Sequence, residues 1–146
     1  MGRWKSVVAV LVAGLLLAVS GCRHTSAEQR VRAAIAAVAH AAQAGDARAV
    51  VAPIEDDFDG NAGALDRSGL RNMVRLLALQ QASIGVHPGP ITIATRGSRI
   101  TASFVVTLTA GSRALPDRVG IYQVETAWRE DSGAWRCYHA SWKQVM

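Results

Sequence analysis

The chain has 146 residues, half of them apolar and 18% charged, and its 16 basic and 11 acidic residues give a formal net charge of +5. That length supports one hydrophobic core, and so mild a positive excess does not call for nucleic acid as a partner. The two cysteines fall in no CxxC or Cys/His metal spacing, which excludes a structural zinc site of that kind.

The first element is "MGRWKSVVAVLVAGLLLAVSGC". Arg3 and Lys5 open it, an apolar run from Val7 to Val19 follows, and Ser20, Gly21 and Cys22 close it. This is the layout of a secretion signal, residues 1–21, with a small-residue cleavage site. The run is too short for a comfortable membrane span. "VSGC" resembles the lipobox of bacterial lipoproteins. That resemblance implies that Cys22 is lipidated, with 22–26 a lipidated terminus and short linker. It also implies that the protein sits in the bacterial cell envelope by its lipid anchor. Arg23, where Asp would resemble an inner-membrane retention signal, implies the outer membrane facing the periplasm in a Gram-negative cell. Residues 1–21 hold two basic residues and no acidic one, so the remainder carries 14 against 11, a net of +3. A lipidated Cys22 cannot pair, which leaves Cys137 a lone thiol in a strand-like segment, expected to be buried and inert.

The domain proper is expected over 27–146. Thr25 and Ser26 stand at capping-box spacing from Glu28 and Gln29. Val31, Ala34, Ile35, Val38, Ala41 and Ala42 then recur on one helical face. Gly45 ends this helix, Asp46 caps a short second one through Val51, and Pro53 stops it. A short strand is expected near Ile54 to Phe58. Asp66 caps a third helix with Leu70, Met73, Val74, Leu77 and Gln81 along one face. From Val86 the period becomes two. Strands are expected through Ile91–Thr95, Ile100–Leu108, Val119–Arg129 and Trp135–Val145. "RGSR" reads as a two-residue hairpin, "AGSRALPD" as a longer loop and "EDSGA" as a turn. Helices first and strands afterwards predict an α+β fold, with N-terminal helices packed on a curved antiparallel sheet of about four long strands.

"GDARAVVAPIEDDF", "LDRSGLRNMVRLLALQ" and "YQVETAWREDSGAWRCYHASW" resemble the nuclear transport factor 2-like superfamily. The resemblance implies a cone-shaped, cystatin-like fold over about Ala27 to Met146. The superfamily includes enzymes such as ketosteroid isomerase and scytalone dehydratase, together with many binding or purely structural domains, so fold alone does not assign a function.

Three groups of residues carry chemistry. The densest acidic stretch, "EDDFDGNAGALD", places Glu55, Asp57, Asp59, Asn61 and Asp66 at the spacing of a calcium loop with Gly60 at its turn. Glu at the first place, the short Asp66 at the last and Pro53 just before favour a structural corner and helix cap instead, and no metal is expected. The catalytic candidates are Asp57, Tyr138 and His139, with Asp56 and Tyr122 as further partners, and the resemblance would use an Asp or a His inside the cone. Alternation along the last strand sets Trp135, Cys137, His139 and Ser141 on one face and Arg136, Tyr138, Ala140 and Trp142 on the other, and either set could face the pocket. Tyr122, Trp128, Trp135 and Trp142 either pack the sheet or line a pocket that grips an apolar or ring-shaped ligand. Arg96, Arg99, Arg113, Arg118 and Arg129 are expected on a solvated sheet face.

No complete set of acid, base and electrophile assembles in the sequence. The expected function is therefore an envelope lipoprotein domain that binds a small apolar ligand or an envelope protein, with homodimerisation a further reading and no cofactor. The alternative is a small-molecule isomerase, dehydratase or hydrolase using an Asp or His in the pocket.

Overall fold

A computed structural model of the chain describes residues 25–80, 83–111 and 116–146. The expected leader 1–21, lipidated Cys22, Gln81 and the centre of the "AGSRALPD" loop lie outside them. Helix α1 spans Ala27–Gln43 and starts where the sequence places it. Ser26 Oγ accepts from the Gln29 N–H, and Gln29 returns the bond to the Ser26 N–H, both at 3.2 Å. Val31, Ile35 and Ala39 point into the core at four-residue intervals. Gly45 then turns the chain at φ +70°, where a side chain would also press on Ala78 Cβ at 3.1 Å. Asp46 caps the short α2, Ala47–Val51, through the Ala49 N–H at 3.0 Å.

Strand β1 runs Ile54–Gly60. It is longer than expected, and it draws the first half of the acidic stretch out of the supposed corner into the sheet. The corner itself is Asn61, Ala62 and Gly63, three successive residues at φ +49°, +54° and +88°. Asp66 then caps α3, Arg67–Leu79, by accepting from the Gly69 N–H at 2.6 Å. Val74 is the helix's buried residue and Leu70 and Leu77 are half-buried, while Met73, expected on the same face, is exposed.

The remaining strands are β2 Ser83–Pro88, β3 Thr92–Arg96, β4 Arg99–Gly111, β5 Pro116–Asp131 and β6 Ala134–Gln144. They pair in the order β1-β6-β5-β4-β2, with β3 on the same edge of β4 as β2 but further along it. The expected antiparallel sheet is thus mixed, because β1 runs parallel to β6. Two-residue turns close the hairpins: Gly97 at φ +59° opens one, and Ser132 and Gly133 at φ +51° and +79° form the other.

One irregularity decides what the sheet shows to the helices. Ala127 pairs with His139, but the next residue of β5, Trp128, pairs with Cys137, so Tyr138 is an extra residue bulged out of β6. Cys137 before the bulge and Ala140 and Trp142 after it therefore share the inner face. With Ile100, Ala102, Phe104 and Val106 of β4 and Trp128 of β5 they meet α1, α2 and Val74 of α3 in a single core. Trp128 is 2% exposed, and its indole N–H donates to Thr126 Oγ1 at 2.8 Å. That hydroxyl in turn donates to the Ala102 carbonyl at 3.3 Å, so the buried polar atoms at this point are partnered.

Candidate functional site: an apolar cavity in the cone

The core does not close completely. Between the helices and the concave face of the sheet lies a cavity of about 290 Å³. Ile35, Val38, Ala39 and Ala42 of α1 form one wall, and Leu65 and Leu70 at the start of α3 form an edge. Val86, Phe104, Val106, Leu108, Val124 and Trp128 make much of the sheet side, with Ala140 and Trp142 beyond the bulge. The polar side-chain groups among the lining residues are Thr126 and the Trp128 indole N–H, already partnered with each other, the Trp142 indole N–H and the Cys137 thiol. The Cys137 thiol donates to the His139 carbonyl at 3.3 Å, and burial pushes its pKa up to about 12. It is therefore a neutral, inert wall atom at physiological pH, as a buried lone thiol was expected to be. Among the described residues, carboxylate, imidazole, phenol and cationic groups are absent from the lining. Such a lining offers an incoming molecule dispersion contact and desolvation.

The sequence-derived candidates divide accordingly. Trp128 and Trp142 line the cavity. Tyr122, opposite Val106, and Trp135 pack against the core but are not among the lining residues. His139, Tyr138 and Asp57 all lie outside the cone. The bulge turns Tyr138 and His139 away, so neither of the two alternating sets faces the pocket intact. His139 Nδ1 is 3.6 Å from Asp59 Oδ2, both side chains about half exposed. Tyr138 lies under two guanidinium groups, Arg129 at 4.9 Å and Arg99 at 5.6 Å from the ring centre.

Arg129 organises this outer face. It forks onto Glu55, with its Nε 2.9 Å from Oε1 and a second, close bond to Oε2, and it reaches both oxygens of Asp57 at 3.1 Å. The Arg129 bond holds the Asp57 carboxyl below its usual range, and Glu55 and then Asp57 keep the guanidinium charged. Asp57 is thereby an ion-pair partner rather than a base poised over a pocket.

The other members of the calcium-like stretch are equally committed. Asp59 Oδ1 accepts from the Gly63 N–H at 2.6 Å, and Asp66 caps α3. Asn61 uses its side-chain amide as a piece of β-ladder, accepting from the Trp142 N–H at 2.8 Å and donating to the Trp142 carbonyl at 3.2 Å. Among the described residues no group of three or more His, Cys, Asp or Glu converges as metal ligands. The Asn61 clamp holds Trp142, and with it one edge of the cavity. At Gly60 an added Cβ would lie 2.9 Å from the Trp142 ring, so glycine lets the strand pass the indole.

Sequence reasoning named the two tryptophans but not the aliphatic walls. The signal for them was present as the even positions Phe104, Val106 and Leu108 of β4, and as Val38 and Ala42 on the helix. What it could not give was that these residues face empty space rather than each other.

No protein-family model and no curated protein sequence matches the chain. Solved structures do. A nuclear transport factor 2-like protein with a cystatin-like fold from Novosphingobium aromaticivorans superposes at a TM-score of 0.69 and 19% identity, over 92% of this chain and 88% of that one. A nuclear transport factor 2-like protein from Cytophaga hutchinsonii gives 0.67 at 12% identity, over 82% of this chain and 99% of that one. A chain from Novosphingobium aromaticivorans named as a candidate scytalone dehydratase gives 0.66 at 12%, over 82% of this chain and 84% of that one. At such identities the likeness is one of fold: the chain has the cystatin-like cone of nuclear transport factor 2-like proteins. The cone accounts for nearly the whole of the Cytophaga chain.

Proposed function

We propose that the cone is a binding domain for a small apolar molecule. The observation behind this is the cavity: about 290 Å³ lined by aliphatic and aromatic side chains, with the acid–base candidates on the outside of the sheet. An apolar cavity of about 150 Å³ takes up benzene. One of twice that volume suits a bicyclic ring system or a saturated chain of about ten carbons. The solved structure named as a candidate dehydratase has the same fold. Here the residues that could support such chemistry, His139, Tyr138 and Asp57, do not reach the cavity, and binding is the reading their placement favours. We further propose that Cys22 carries lipid and displays this domain at the bacterial envelope. Support for that comes from "VSGC" behind a charged start and an apolar run.

Naphthalene titrated into residues 25–146 by calorimetry tests the binding. Saturable uptake of one molecule is expected, retained by His139→Ala, Tyr138→Phe and Asp57→Asn. No uptake of naphthalene or of a ten-carbon alcohol would defeat it. Loss of fatty-acid labelling in Cys22→Ser tests the anchor separately.

A further inference from the structure

We infer that α3 is an interfacial helix that docks the cone on an anionic lipid surface. This goes beyond ligand binding in the cavity and does not depend on lipid at Cys22. Three large apolar side chains, Met73, Leu76 and Leu79, stand 44%, 56% and 81% exposed along it. At about 100° per residue they form one ridge on the flank of the helix, about 9 Å along its axis from Met73 to Leu79. The ridge is not core that failed to pack, because Leu70, Val74 and Leu77 already supply the face turned to the body of the protein.

The charge on the helix names the partner. Its thirteen residues include Arg67, Arg71 and Arg75 and no acidic residue. Arg67 is committed inward, donating to the Ile54 and Val51 carbonyls at 3.0 and 3.2 Å. Arg75 is exposed beside Leu79 at the edge of the ridge, while Arg71 is half-buried further round the helix toward Arg67, its Nε buried without a partner among the described residues. Two acids lie near the start of the helix, and the side chain of one of them, Asp56, is fully exposed. Asp66 caps it, and Asp56 sits 3.7 Å from Arg67, on the side opposite Leu76. An apolar ridge bordered by arginine is the pattern of a helix lying in the headgroup layer. Its leucines enter the acyl boundary and its guanidinium groups meet phosphates. The ridge also continues from Leu65 and Leu70, which edge the cavity, so a bilayer-docked α3 places the cavity beside the acyl layer.

The test is co-sedimentation of residues 25–146 with sucrose-loaded vesicles of pure phosphatidylcholine and of phosphatidylcholine with one third phosphatidylglycerol. Binding is expected to the anionic vesicles and to weaken at high salt. Leu76→Gln with Leu79→Gln should lower it at least tenfold, and Arg75→Gln about fivefold. Both positions are exposed, so an unchanged circular-dichroism spectrum is the control for folding. Equal sedimentation of wild type and the Leu76/Leu79 variant, or none of either, would overturn the inference. So would a dimer of residues 25–146, seen by sedimentation velocity, that the Leu76/Leu79 variant dissolves, since the ridge would then be a seam between copies.

Discussion

If the cavity is empty space in solution, filling it from the wall must stabilise the protein. Ala140 is the position to use. Its methyl is 8% exposed, it lines the cavity, and it lies in β6, where a β-branched side chain suits the backbone. Ala140→Ile adds three carbons. At about 0.8 kcal/mol per buried CH₂ the gain is roughly 2 kcal/mol. For a domain of this size that is a rise in melting temperature of roughly 6–10 °C. The same carbons occupy the space a ligand needs, so naphthalene affinity should fall about thirtyfold, the equivalent of roughly 2 kcal/mol. Thermal melts followed by circular dichroism, with calorimetric titration on the same samples, measure both. A loss of about 1–3 kcal/mol instead of a gain would mean overpacking in a core already closed, and the cavity reasoning would be refuted whatever the titration gave.

Three other expectations follow from named contacts. Trp128→Ala should cost about 4 kcal/mol, because it removes a 2%-exposed indole and its bond to Thr126, whereas Trp128→Phe should cost less than half of that; chemical denaturation distinguishes them. Cys137 should resist a thiol-directed disulfide reagent at pH 8 in the folded protein and react fully in denaturant, and rapid native reaction would place the thiol outside the core. The Asp57 carboxyl is lowered by Arg129, so its contribution is present above the ordinary aspartate range and lost as pH falls through the folded value; Asp57→Asn should therefore flatten the acid limb of stability against pH, and an unchanged acid limb would count against that ion pair.

What the sequence disclosed and what it hid follow a physical division. Every helix start was legible because each cap is a bond between residues three apart: Ser26 with Gln29, Asp46 with Ala49, Asp66 with Gly69. The hairpins at Gly97 and Gly133 were legible for the same reason, their turns being local. The parallel pairing of β1 with β6 was not, since nothing near Ile54 announces Cys137. The bulge at Tyr138 is likewise a property of two strands in register and not of one strand's pattern. It split the alternation of the last strand, so Cys137 and Trp142 fell on one face and His139 moved out of the pocket. The partner of Glu55 and Asp57, Arg129, lies more than seventy positions along the chain, which is why a run of acids looked like a metal loop when taken alone. Met73 was misassigned because helical periodicity gives the direction of the apolar face but not how wide a stripe the core will cover.

The most direct test of apolar binding in the cone is a methyl NMR titration of residues 25–146 with naphthalene. Ile35, Val38, Val86, Val106 and Leu108 surround the cavity, while Val105, Val119 and Val145 lie elsewhere and are exposed. Saturable shifts confined to the first group, with intermolecular contacts from those methyls to the ring protons, are the expected result. Shifts centred on Val105, Val119 and Val145, or none at saturation, would contradict the assignment of the cavity as a binding site.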